Sequence, residues 1–353
     1  MTGSYCEPMP EILHFRFNRE QARLLAKYSE EVSILGGPDC KGAALAAAHY
    51  AELLKHSLGK DQLMLLSAYA SGRVCAIEFT SMQSPPSDPP PDVLPTMSEM
   101  AQDPTILNLA SRSQILLGLV SFRSFAFDID NDGMQVRLVG NFKGGGEVLL
   151  PEEDRCHTAE LSSHSGAGLG PHTEPPYNCS VVSEAGRSPA PSALILTARW
   201  NPQAEPTRLI PLRNVVAALN GLEALALSSK SFCFTRSECF IKEESYIPAA
   251  NAILQFDHHA DFTLRYSSYR YSLYRETCGP AQRAYRRFQE LIDVAKPDVF
   301  KLQSDTALLI NNNQTLHARE IIKDNRRLLV RLFAYSPQAQ PVVLQEDPLV
   351  VRG

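Results

Sequence analysis

From about residue 120 onward the chain is cut into short apolar runs bounded by turn residues, and this punctuation most limits what it can fold into. Phe122 to Phe127, Met134 to Val139, Ala193 to Trp200, Ala307 to Ile310 and Leu328 to Tyr335 have the length and texture of strands. Helical inserts near 212–226 and 280–295 interrupt them, too few for a regular strand–helix alternation. The expectation is a mainly β fold with flanking helices, an antiparallel sandwich or jelly roll rather than a doubly wound sheet. Upstream the texture is helical. Asn18 with Gln21 reads as an N-terminal cap, followed by Leu24, Leu25, Tyr28 and Val32 at helical spacing. An alanine-rich helix is expected over 42–57 and a third over 105–117. Between them, the proline-dense stretch 84–95 can be neither helix nor central strand, because proline removes backbone donors; it is read as an exposed loop. The chain is therefore read as one domain, 1–353, with a helical region at 10–117 and a β core at 120–345.

Composition narrows the partners. A formal charge of -5 and a pI near 6.0 offer no basic field for nucleic acid or for an anionic membrane surface. No apolar run approaches the roughly 20 residues a membrane helix needs. The 8 cysteines include no C-x-x-C pair, and no signal-peptide pattern opens the chain, so reduced thiols in a cytoplasm are expected. The sequons at Asn178 and Asn313 then carry no meaning.

Several motifs look chemical and read better as structure. Asp128 to Gly133 opens like a calcium loop, but the twelfth position is Val139, so a β-hairpin with an Asn-Asp-Gly turn is expected. Gly144 to Gly146 lacks the lysine of a phosphate loop and is read as a flexible turn. In Asp257-His258-His259-Ala260-Asp261, adjacent strand histidines point to opposite faces and cannot easily share one ion. His157 and His164 flank a glycine-rich stretch, Ser165 to Gly170, read as a mobile loop.

His172-Thr173-Glu174 is different. On a strand, residues i and i+2 share a face, so both side chains can reach one metal ion. Far downstream an apolar strand and a polar turn, Ala307 to Thr315, lead into His317. Two histidines and one carboxylate on one side of a metal leave positions open, the pattern of non-haem iron(II) oxygenases. Arg327 and Arg331 follow four apart, on one strand face, and an arginine fork there can clasp a carboxylate bidentately.

The segments Gly170-Pro-His172-Thr-Glu174-Pro-Pro-Tyr177, Leu309-Ile-Asn-Asn-Asn-Gln-Thr-Leu-His317-Ala-Arg319 and Arg327-Leu-Leu-Val-Arg331 resemble the clavaminate synthase-like branch of the taurine dioxygenase superfamily, which includes arginine and asparagine hydroxylases. The resemblance spans roughly 120–345. It implies a double-stranded β-helix (jelly roll, cupin-like) and iron(II) held by His172, Glu174 and His317. It further implies 2-oxoglutarate as cosubstrate, its far carboxylate gripped by Arg331, fourteen residues after His317, with Thr197 assisting. A glutamate at position 174 argues against the related halogenases, which vacate that ligand position. The implied activity is oxygen-dependent hydroxylation at C3 or C4 of a free polar amino acid, with lysine, arginine and citrulline as the candidate substrates.

For the substrate, an α-amino group is expected near Glu174 and an α-carboxylate against an arginine. Asn141, Asp257, Asp261 and Arg270 are the candidate contacts. The stretch 264–271 is where the arginine and asparagine enzymes carry acidic contacts, and here it contains no acid. Three alternatives stay open: the same chemistry on a carrier-bound amino acid or peptide, a cupin-type metalloenzyme without 2-oxoglutarate, and a non-catalytic binding sandwich.

Overall fold

The computed structural model describes residues 10–86, 88–148, 161–175, 178–236, 249–257, 261–275 and 277–353. The chain enters on β1 (Ile12–Arg16), then passes through α1 (Arg19–Ile34), α2 (Ala43–Lys55) and α3 (Lys60–Ala70) to β2 (Ala76–Thr80). The short α4 (Met97–Met100) and the long α5 (Pro104–Leu119) lead to β3 (Arg123–Phe127), β4 (Arg137–Gly140), β5 (Leu169–His172), β6 (Ala193–Trp200) and β7 (Thr207–Pro211). An insert follows: α6 (Arg213–Ala217), α7 (Gly221–Leu227), β8 (Phe232–Phe234), β9 (Ala250–Asn251), β10 (Leu254–Asp257), β11 (Asp261–Leu264), β12 (Tyr271–Leu273) and α8 (Gly279–Val294). The chain closes with β13 (Asp298–Phe300), β14 (Ala307–Asn311), β15 (Thr315–Arg319), β16 (Leu328–Tyr335), β17 (Val343–Glu346) and β18 (Leu349–Val351).

Two sheets face each other. The larger has the order β1-β2-β14-β6-β16-β3-β18-β17, with β4 also pairing β16; the smaller runs β13-β7-β15-β5. Strand parity decides which side chains meet between them. On β16, Leu329, Phe333 and Tyr335 join Leu194, Leu196, Leu209 and Phe300 in the core between the sheets. The alternate residues Leu332 and Ala334 face α1, α2 and α5 on the outside of the large sheet. On β15, Leu316 packs outward against α7, α8 and the β8–β11 region, leaving His317 on the inner side. This two-sheet, helix-flanked arrangement is the jelly roll expected from the strand pattern.

The Asn18 cap is present as a full capping box with Gln21. The expected 42–57 and 105–117 helices are α2 and α5, and the 280–295 insert is α8. The 212–226 insert is two helices, because Asn220 caps α7 and ends the α6 run at Ala218. The region 10–117 is mainly helical, yet it also supplies β1 and β2, paired in parallel and joined to β14. Alternation was there to read: Leu13, Phe15 and Phe17 are buried while His14 and Arg16 are exposed.

The expected 122–139 hairpin does not form. β3 and β4 both pair antiparallel with β16, at 333–335 and 328–331, as successive parts of one edge. Asn131 and Asp132 adopt φ of 53° and 54° within a 3-10 turn, so the chain makes an excursion and resumes its direction. The consequence is a register that sets Arg137 directly opposite Arg331.

The glycine-rich stretch after residue 164 is pinned rather than mobile. Gly166 donates to Gly144 O and to Asn141 Oδ1, and Ile322 N donates to Gly166 O at 2.8 Å. A Cβ on Gly166 would lie 2.6 Å from the Gly146 backbone, so only glycine permits this approach. Gly144 to Gly146, expected as a flexible turn, is the other half of this contact. Five cysteines, Cys40, Cys75, Cys179, Cys233 and Cys278, are free thiols. Among the described residues no helix is long and apolar enough to cross a membrane.

Candidate metal centre

β15 and β5 are antiparallel neighbours, and their register sets His317 opposite His172. Directly opposed residues on one face come close, and the two imidazole centroids are 4.2 Å apart. β5 ends at His172, so strand alternation alone does not place Glu174. Asn312, fully buried in the β14–β15 turn, does so: its Oδ1 accepts from Glu174 N at 2.8 Å, and its Nδ2 donates to Pro191 O and Glu174 O. Thr173 between the ligands bonds the Tyr266 backbone in both directions. One ligand atom from each of His172, Glu174 and His317 can lie within 4.8 Å of the others, and all three residues are buried.

The electrostatics suit a cation. His172 Nδ1 lies 2.8 Å from Gly170 O, which can only accept, so the ring proton sits there and Nε2 keeps its lone pair for a metal. Burial, then the neighbouring His317, push the His172 imidazole down to about 3, so it is neutral at physiological pH. Burial alone would raise the Glu174 carboxyl, but Arg331 and the two imidazoles hold it well below the usual carboxylate range. His317 Nδ1 is buried without a partner among the described residues. Tyr269 closes over the His172 ring edge-on at 5.5 Å, its phenol raised to about 12 by burial and then by Glu174.

The arginines divide into two groups. Arg331 Nη1 donates to Glu174 Oε1 at 2.5 Å, its Nε has no partner among the described residues, and its guanidinium lies over Phe333. With Arg270 it lines a small cavity of about 60 Å³ that His172 and Glu174 also reach. Arg327 lies apart, 1% exposed, with Nε and Nη1 both without a hydrogen-bond partner among the described residues. Arg319 stands close enough for Arg327 to repel it; burial and that repulsion lower Arg319 to about 9. The Arg319 Nη2 donates to Ser165 O and Ala167 O, while its Nε and Nη1 are also buried and without a partner among the described residues. Glu205 attracts both guanidinium groups, but neither is hydrogen-bonded to a carboxylate among the described residues, so the pair is suited to an added anion.

Other sequence candidates lie elsewhere. Thr197 shares a strand face with Ile195, toward α5; its hydroxyl donates to Thr306 O and accepts from Arg112, so it is on the wrong side of the sheet to meet a cosubstrate. Asn141 staples loops, accepting from Gly166 N and donating to Asn325 Oδ1. Asp257 accepts from Thr263 beside the β10–β11 turn, and Asp261 is an exposed partner of Arg213. None of these three lines the cavity, whereas Arg270 does. His258, His259, His157 and Tyr177 lie outside the described residues. Asn312, Tyr269, Arg319 and Arg137 were missed from the sequence. Arg319 alone carried a usable signal, two residues after His317 and hence on its face.

Fold and site together define a double-stranded β-helix protein with a buried two-histidine, one-glutamate cluster between its sheets. Solved structures that share this fold include an asparagine oxygenase in complex with Fe(II), 2S,3S-3-hydroxyasparagine and succinate, with TM-score 0.68, 18% identity, and coverage of 96% of this chain and 99% of that one. The non-heme iron oxygenase OrfP in complex with Fe and alpha-ketoglutaric acid superposes with TM-score 0.68 at 17% identity, covering 92% and 93%. OrfP with Fe, succinate and (3S)-hydroxy-L-Arg gives 0.63 at 17%, covering 91% and 93%. At this identity the likeness establishes the fold. No family model and no curated protein sequence matches the chain.

Proposed function

We propose that this chain is an iron(II)- and 2-oxoglutarate-dependent oxygenase that hydroxylates an amino acid. The observation that carries the reading is the pairing of an ion-ready triad with a second, separate anion cradle in the same barrel. His172, Glu174 and His317 would hold the metal. Arg319 is one i to i+2 step, about 6.6 Å, from His317 along β15, and Arg327 stands beside it. Arg319 and Arg327 would hold the far carboxylate of a keto diacid whose other end lies at the triad. Arg331, bonded to a metal ligand, is too close to the metal for that role, which we therefore assign to Arg327 with Arg319.

When bound, the metal and keto acid supply oxygen activation coupled to oxidative decarboxylation. The chain's own residues position and shield. Asn312 fixes the Glu174 backbone, Gly170 O fixes the His172 tautomer, and Tyr269 covers the imidazole from water. Arg331 and Arg270 face the substrate cavity. The structural neighbours were solved with 3-hydroxylated asparagine and arginine, which supports an amino-acid substrate here. A cytoplasmic setting accords with the free thiols.

The test is anaerobic reconstitution with iron(II) and 2-oxoglutarate, admission of oxygen, and measurement of succinate across an amino-acid panel. Substrate-dependent succinate establishes the reaction class. A protein that binds iron but neither binds nor consumes 2-oxoglutarate refutes it.

A further inference from the structure

Among the described residues the cavity beside the triad holds more positive charge than a neutral or basic amino acid can use. Arg331 and Arg137 are directly opposed across the β16–β4 pair, so their side chains leave the same face of the sheet. Like charges placed this way destabilise a sheet unless something between them is negative. Arg137 is matched by a buried ion pair with Asp130 and a bond to Ser163 Oγ. Among the described residues Arg331 is ion-paired with Glu174 alone, a carboxylate the metal would claim, with Asp130 a more distant attraction already bonded to Arg137. Arg270 completes the wall. Its Nη2 donates to a neutral carbonyl, Leu161 O, at 2.6 Å, and its guanidinium lies 5.5 Å from the Tyr269 ring. Among the described residues the cavity lining has three arginines, Arg137, Arg270 and Arg331, and only two carboxylates, Asp130 and Glu174. With Glu174 on the metal and Asp130 on Arg137, two guanidinium groups remain for the substrate.

We infer that the substrate carries two carboxylates, an amino acid of the aspartate or glutamate class, one carboxylate bound by Arg331 and the other by Arg270. The inference rests on the oxygenase reading and names its substrate class; it replaces the lysine, arginine and citrulline expected from the sequence. Each of those three carries only one carboxylate, and the lysine and arginine side chains would add a cation to a cationic wall. The local field agrees. Nearby His164 is driven down to about 3, first by burial and then by Arg137, Lys143 and Arg331.

The experiment uses the iron(II)·2-oxoglutarate protein. Anaerobic calorimetric titrations with aspartate, glutamate, asparagine, glutamine, lysine, arginine and citrulline are paired with aerobic succinate release and product mass. A diacid is expected to bind most tightly and to give the highest kcat/KM with addition of one oxygen. Arg270→Gln should raise the diacid KM at least tenfold, Arg270→Lys should recover part of it, and Arg270→Glu should move preference toward lysine and arginine. Tighter binding and faster turnover of a neutral or basic amino acid overturn the inference while leaving the oxygenase intact. So does an Arg270→Gln variant with an unchanged diacid KM. Failure of the wild-type protein to bind 2-oxoglutarate at all removes the oxygenase reading and this inference with it.

Discussion

Replacing Arg327 by methionine should make the ligand-free protein more stable and the cosubstrate weaker at once. The residue is 1% exposed and its guanidinium has no hydrogen bond to any described residue, so without an anion it is a desolvated charge offset only by the attraction of Glu205. Burial already lowers its pKa to about 10, the direction expected when the charged form is the costly one. An unsatisfied buried polar group costs roughly 1–3 kcal/mol, and swapping uncompensated buried charge for apolar volume recovers about that much. Methionine keeps the stem and its packing, so the free protein should gain about 1–3 kcal/mol. With 2-oxoglutarate bound, the guanidinium acquires a carboxylate partner, and losing one side of such a buried pair costs about 2–5 kcal/mol. At about 1.4 kcal/mol per decade, that is a weakening of roughly thirtyfold to several thousandfold. Thermal unfolding of the metal-loaded protein, with and without 2-oxoglutarate, reads both effects, because a ligand that binds only the native state raises the midpoint. The expected result is a higher midpoint without ligand and a lost ligand-induced rise. A variant that is less stable when empty and still shows the full rise would refute the reasoning and return the clamp to Arg331.

Three further outcomes are expected. His317→Ala should abolish substrate-linked succinate formation and reduce iron to well below one per chain after gel filtration; full activity would break the ligand assignment. Asn312→Ala removes bonds to Glu174 N, Glu174 O and Pro191 O, so it should cost about 1–3 kcal/mol in denaturant unfolding and lower iron affinity together. An unchanged iron affinity would make Asn312 merely structural. His164, whose folded pKa of about 3 lies below its ordinary 6.5, binds a proton only on unfolding between those values. Its contribution is therefore complete above about pH 6.5 and lost as pH falls toward 3, with a slope of about 1.4 kcal/mol per pH unit. In metal-free protein, His164→Asn should flatten the stability–pH curve by about one proton across that window.

Much of the architecture was legible because burial writes itself as period. Ala193–Trp200 and Leu328–Tyr335 are central strands buried on both faces, and their largely apolar runs, interrupted only by Thr197, Arg199 and Arg331, marked them to the residue. Helices with strong caps were equally plain, as at Asn18. What failed was pairing. Asp128 to Gly133 has the composition of a hairpin turn, but composition cannot say whether a chain reverses or steps aside and resumes along the same neighbour, as it does beside β16. β1 and β2 were hidden for a related reason: a parallel pair needs a long crossover, and the helices filling that crossover dominated the local texture.

The same limit governed the site. The triad was readable because metal chemistry restricts ligand types severely; His172, Glu174 and His317 do converge, although Glu174 lies beyond the end of β5 and is placed by Asn312 rather than by strand spacing. The two arginines four apart were also found, and both side chains are buried at the site. Which one serves which anion is a question of depth along β16, and depth follows from register rather than spacing. Pairing of Arg331 with Arg137 and Leu196 brings it level with Glu174, whereas Arg327, just before the strand begins, is level with the end of β15 and Arg319. A count of fourteen residues from the last histidine spans a loop, and a loop can lengthen or shorten without moving either strand. Position across the barrel, not distance along the chain, is therefore what should separate a cosubstrate arginine from a substrate arginine here, and the Arg327 and Arg331 variants tested side by side against both ligands measure that separation directly.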